Sequence, residues 1–244
     1  WPIGVAAALY LEKFAAQSAT LTERRMRERL ATGRVSGLGA AWTRTRLWWL
    51  RIRPRVVHLI DVNISNLAAV PSIIYGLLGL AIFVGVLGIS KSLLAGGLTL
   101  AVLILPIIII AAREALRAVP ISIEQGAMAL GATRWQAVRS QIFPAALPGI
   151  LTGTILAMSR AIGETAPLIV VGGVVYSTAV PSLNPLEAGN EALLAMPLQI
   201  YFWTDQPQAS FQAIAAAGII VLLATLLVMN LVAIILRNRY SKRW

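Results

Sequence analysis

The sequence predicts an all-α protein, a polytopic bundle of membrane-spanning helices. Three observations carry this. Of the 244 residues, 58% are hydrophobic and only 13% charged, with a mean hydropathy of +0.76, more apolar surface than a soluble domain can use. The apolar residues gather in runs of about 20, long enough to cross a bilayer at ~1.5 Å per residue. Every lysine and arginine except Lys91 and Arg160 falls in three places: residues 12–55, residues 113–147 and the C-terminal tail. The net charge of +11 therefore reads as membrane topology rather than as a footprint for nucleic acid.

In chain order, residues 2–11 (PIGVAAALYL) read as the tail of a truncated transmembrane helix. The chain starts at Trp1, so the true N-terminus is expected upstream. Residues 12–66 read as a basic cytoplasmic loop. Leu21–Ala31 has the composition of a charged helix, and Trp42, Trp48 and Trp49 alternate with Arg44, Arg46 and Arg51. Basic residues beside aromatics suit anionic headgroups at an interface, and they also suit single-stranded nucleic acid.

Residues 67–244 read as the core. Its first span is about 67–89, uncharged, with Pro71 near its start. Gly76, Gly79, Gly85 and Gly88 offer flat surface for close helix packing. A short turn leads to a second span, about 93–112, with a kink expected at Pro106. Arg113, Glu114 and Arg117 mark the exit into water. A third span is about 148–176. The loop 177–210 holds three acids, Glu187, Glu191 and Asp205, and no basic residue; its middle, 191–203, suits a short interfacial helix. A last span, about 213–236, ends at Arg237 and Arg239. The positive-inside rule then puts the 113–147 loop and the C-terminus in the cytoplasm, with 177–210 outside.

Some chemistry is excluded. With no cysteine there is neither disulfide nor thiolate metal site. His58 is the only histidine, so no histidine metal site or catalytic triad can form, and neither catalytic nor metal residues are expected. The chain lacks the phosphate-cradling G-x-x-x-x-G-K-[ST] pattern, so ATP hydrolysis would have to come from another subunit.

Two stretches carry the functional expectation. The first is Arg160 with Glu164, four residues apart on one helix face, inside the third span. Counting from Pro148 puts Arg160 about 18 Å into the helix, near mid-membrane. A charge there costs at least ~2.5 kcal/mol, so it should face protein or a water-filled path. Two readings fit: a structural ion pair, or an anion site in which arginine binds a tetrahedral oxyanion and glutamate holds the arginine. Gly163 and Pro167 bracket the pair and should loosen the helix there. The second stretch is 120–147, a short amphipathic segment, then Gly131, then a second helical stretch. It suits a helix lying in a partner's groove, and equally a plain connecting loop.

The second stretch resembles the coupling loop of bacterial ABC importer permeases: Glu-Ala-Ala, three residues, Gly, and later Leu-Pro. Here it reads Gln125-Gly126-Ala127, Met128-Ala129-Leu130, Gly131, and Phe143-Pro144. Gln125 stands where the family has Glu, Gly126 where it has Ala, Phe143 where it has Leu, and Glu124 comes one residue early. NLAAVPSIIYGLLGLA (66–81), LGATRW (130–135), Ser159–Ile169 and MPLQIYFW (196–203) further resemble permeases of phosphate importers of the PstA kind.

The resemblance covers most of residues 2–15 and 57–240. It implies a type I ABC importer permease (MetI-like) bundle in the bacterial inner membrane. A second homologous permease subunit (PstC-like), two ATPase subunits and an extracytoplasmic phosphate-binding protein would be its partners. No cofactor is implied in this chain, ATP and Mg belonging to the ATPases. Arg160, Glu164 and Thr165 would line the substrate path. Glu124, Gln125, Gly126, Ala127, Gly131, Arg134 and Pro144 would serve ATPase coupling. Alternatives from other classes are an ATP-independent secondary transporter or channel, and a membrane-bound scaffold or nucleic-acid protein acting through residues 21–55. Within the importer class, sulfate or molybdate is the alternative solute.

Overall fold

The computed structural model describes residues 1–15, 55–173, 184 and 189–240. The basic stretch 16–54, with its expected helix and tryptophans, lies outside them, as do the end of the expected third span and about a third of the acidic loop. The described residues are helical, and the one extended pairing among them is an isolated bridge, Ser92 with Ala192. The chain divides into two compact units, Trp1–Leu67 with Ile108–Ile150, and Ala68–Ile107 with Leu151–Trp244.

In the first unit, α1 (Pro2–Leu9) starts with proline at its first turn, where the missing N–H costs nothing. It widens into a π turn, Tyr10–Ala15. A helix α2, Arg55–Ala68, stands in what the sequence reads as loop. The end of α4 (Leu93–Arg117) follows, then α5 (Ile121–Ala129) and α6 (Arg134–Ala137). A π turn, Val138–Ile142, joins α6 to α7 (Phe143–Gly163), with Phe143 N–H reaching back to Val138 O. Val5, Ala8, Leu11, Leu116, Val138 and Ile142 are among the unit's buried apolar side chains.

In the second unit, α3 (Ser72–Gly79) runs on into a π turn, Leu80–Val86. With it belong the early part of α4, the later part of α7, α8 (Ala166–Val171), α9 (Met196–Thr204) and α10 (Ala209–Tyr240). Ala95, Leu168, Val171 and Leu193 form its core, with Val84, Ile89, Leu100 and Ala195 against them. The first amides of α4, which a helix cannot satisfy itself, are taken by the loop: Leu93 N–H bonds Glu191 O and Leu94 N–H bonds Gly189 O, both at 2.9 Å.

Among the described residues, Leu93–Arg117, Arg134–Gly163 and Ala209–Arg239 are long and apolar enough to cross a membrane. The expected first span differs. Helices Arg55–Ala68 and Ser72–Val86 meet at a bend of 101°. Pro71 explains the break, because the residue before a proline is pushed out of the helical region and Pro71 itself caps α3 with extended backbone. Leu67 and Ala68 thus end the preceding helix. The third span also differs: it begins well before Pro148, which lies inside α7, and stops at Gly163.

Candidate functional site

The second unit contains a broken helix. Residues Glu164 and Thr165 belong to neither α7 nor α8, and Pro167 enters α8 in its first turn. This is the local outcome expected of Gly163 and Pro167. Proline cannot donate to the carbonyl of Gly163, so the ladder stops there. Leu168 and Ile169 N–H instead converge on Thr165 O, both at 3.1 Å. On α3, Gly76 fits against the break: a Cβ there would come within 2.7 Å of Pro167 Cα and 2.8 Å of Pro167 O.

Arg160 and Glu164 meet across one helical turn. Arg160 Nε donates to Glu164 Oε1 at 3.0 Å. The arginine lies in the last turn of α7, where the helix dipole favours a cation. Because α7 begins at Phe143, Arg160 lies about 26 Å along it at ~1.5 Å per residue, not the shorter depth counted from Pro148. The side chain of Arg160 is 48% exposed and that of Glu164 15%. Among the described residues, the two terminal nitrogens of Arg160 donate to no side chain. Here the carboxylate takes the inner nitrogen, and among the described residues no side chain takes the outer edge, the edge that suits a tetrahedral oxyanion. Thr165 is half-buried at the break.

Three further contacts in this unit have no signal in sequence spacing. Tyr75, buried on α3, lies within electrostatic reach of Arg160. Ser159 Oγ donates to Asn230 Oδ1 on α10 at 2.5 Å and is shared with Ile155 O. Arg237 Nη1 donates to Thr152 Oγ1 at 2.9 Å. Asn230 carried a readable signal, being an amide within an otherwise apolar run.

The first unit contains the loop expected to dock. Its two helices are fixed at the turn between them. Gly131 has φ +90, Gly131 N–H bonds Met128 O at 3.0 Å and Ala132 N–H bonds Ala127 O at 3.1 Å. That is the left-handed glycine stop that satisfies a helix's last carbonyls. Thr133 then caps α6 reciprocally with Gln136: its hydroxyl accepts from Gln136 N–H, and its own N–H bonds the Gln136 side chain at 2.7 Å. Ile121, Met128, Leu130 and Trp135 are exposed, Leu130 at 92%.

The residues expected there divide by position. Gln125, Gly126, Gly131 and Pro144 are exposed, and Ala127 is half-buried. Glu124 is turned inward, 3% exposed, with Lys13 Nζ at 3.2 Å and Arg134 Nε at 3.5 Å. Arg134 also lies over the Phe14 ring, 5.7 Å from its centre. Glu124 is thus paired inside the unit, with Arg134 half-buried beside it.

The family model described as "Binding-protein-dependent transport system inner membrane component" matches residues 35–243. The chain is 33% identical over 190 residues to "Probable ABC transporter permease protein YqgI" of Bacillus subtilis, covering 73% of this chain and 63% of that protein. It is 33% identical over 192 residues to "Phosphate transport system permease protein PstA 1" of Mycobacterium tuberculosis, covering 78% and 60%. The chain thus spans about six-tenths of the length of these relatives. The fold is similar to that in "Inward facing conformations of the MetNI methionine ABC transporter", with a TM-score of 0.59, 18% identity, and coverage of 99% of this chain and 96% of that one.

Proposed function

Because the chain belongs to the family of binding-protein-dependent transport system inner membrane components, we propose that it is a membrane-spanning permease subunit of an ATP-driven importer of inorganic phosphate. One observation carries the solute class: Arg160 is anchored through Nε on Glu164 while, among the described residues, no side chain takes its outer nitrogens, beside a broken helix. Phosphate presents paired oxygens to that fork. The named phosphate permeases among the relatives support phosphate over sulfate or molybdate, which have the same tetrahedral shape.

Pumping would come from two ATPase subunits docked on α5 and α6, with ATP and Mg held there. A second homologous permease would complete the pore and a phosphate-binding protein would deliver the solute. The charge distribution supports a cytoplasmic position for residues 113–147 and for the C-terminus. The chain itself acts as a transport component rather than an enzyme. The test is purification of the natural complex. ATPase subunits should come with this chain, and phosphate with its binding protein should stimulate hydrolysis more than sulfate or molybdate does. Equal stimulation by all three anions would remove the phosphate assignment and keep the oxyanion one.

Gly131 gives a sharper check on the docking loop. A Cβ there meets nothing within 4 Å, so any effect of substitution comes from backbone strain at φ +90 rather than from a clash. Left-handed backbone costs an ordinary residue about 1–2 kcal/mol, more if β-branched, and asparagine least. Gly131→Val is expected to lower uptake at least ~10-fold in an assembled complex, the tenfold that ~1.4 kcal/mol represents. Gly131→Asn should retain most of it. Equal uptake in the two variants would show that the turn geometry does not matter.

A further inference from the structure

We propose that Glu12 and Lys13, consecutive at the end of the N-terminal helix, form an ionic latch that holds the docking helix α5 in register with the end of α4; only its role in transport rests on the permease reading. Neighbouring residues on a helix point in different directions, so adjacent opposite charges can grip two different elements. That is what happens in the π turn after α1.

Glu12 Oε2 accepts from Arg117 Nε at 2.9 Å and stands 3.5 Å from Arg113 Nε, both on α4. Arg113 in turn grips Asp61 of α2 with both terminal nitrogens, at 2.5 and 3.0 Å. Lys13 Nζ donates to Glu124 Oε2 of α5 at 3.2 Å. The other oxygen of Glu124 faces Arg134 Nε of α6 at 3.5 Å. Phe14 completes the sequence, with its ring under Arg134 and 6.1 Å from that of Trp135. Three consecutive residues therefore hold α4, α5 and α6.

The Lys13–Glu124 pair is the critical grip because it is dry: Lys13 is 7% and Glu124 3% exposed. Lysine and glutamate are almost never so buried unless paired, and losing one partner strands the other charge. A movement of α5 away from α4 must break this pair or carry the end of α1 with it. Lys13 and Glu124 are thus positioning residues, acting on a docking surface they do not form.

The test uses the full chain in its natural complex, with Lys13→Met, Glu124→Gln and the double variant. Hydrogen exchange of the Ile121–Leu130 amides reports the latch directly, with or without transport. Each single variant should exchange at least ~10-fold faster than the natural protein there, as expected when a buried pair loses one member. The double variant should be no faster than the single ones, because the pair is lost only once. Phosphate moved per ATP hydrolysed should fall at least ~3-fold in all three, a modest coupling loss. Unchanged exchange in the single variants, or multiplied effects in the double, would overturn the latch. So would a double variant with the natural transport ratio, since the pair would then only neutralise buried charge. Failure of the natural complex to contain an ATPase would overturn the permease reading while leaving the exchange result to judge the latch.

Discussion

Arg160→Lys is expected to cut phosphate uptake by about 10- to 100-fold in a complex that still assembles, from the ~1.5–3 kcal/mol a charge-assisted hydrogen bond is worth. Lysine keeps the positive charge, so a purely electrostatic attraction would survive. What it loses is the planar fork, with one nitrogen on Glu164 and two more to offer an anion. An ammonium cannot hold Glu164 and two oxygens of an anion in one plane. ATPase subunits should still co-purify, because the docking loop is untouched. Uptake near the natural rate would return Arg160 and Glu164 to a structural role.

Gly76→Ala is expected to destabilise the second unit by about 1–3 kcal/mol, the usual cost of forcing a methyl group into full space. The added carbon would lie 2.7 Å from Pro167 Cα, 2.8 Å from Pro167 O and 2.9 Å from Val170 Cβ. Two of these are backbone atoms, so the helix break itself must move. At ~2–4 °C per kcal/mol for a chain of this size, the melting temperature should fall by several degrees. Uptake should fall as well, since the displaced backbone of Pro167 lies three residues after Glu164. Gly97→Ala is the comparison: its Cβ meets nothing within 4 Å inside α4, and it should leave melting unchanged or slightly higher. Equal melting of the two variants would show that α3 and α8 are not in the close contact described.

Much of the fold was legible because local rules govern it. The second span follows from apolar length, and Pro106 lies within it. The Arg160–Glu164 contact follows from four-residue spacing. The break follows from glycine and proline around it. Gly76 and Gly79 do meet other segments closely, the latter against Thr99 of α4. Gly88 does not; with φ +67 it serves a turn instead.

What was not legible depends on distance or on small shifts in helical winding. No spacing rule relates Lys13 to Glu124, 111 residues apart. Nothing in the apolar pattern at 67–89 marks a change of direction, so the bend at Pro71 read as an ordinary helix start. The run Arg55–Ala68 mixes Asp61 and Asn63 with valine and isoleucine, and so resembled a loop while folding as α2. The burial of Glu124 has no signal in its own segment, because its closest partner, Lys13, comes from elsewhere in the chain.

The most direct measurement is accumulation of labelled inorganic phosphate in liposomes carrying the natural complex and its binding protein. Accumulation against a gradient that requires ATP and disappears in Arg160→Ala is expected. Accumulation without ATP, or undiminished in that variant, would contradict the permease reading.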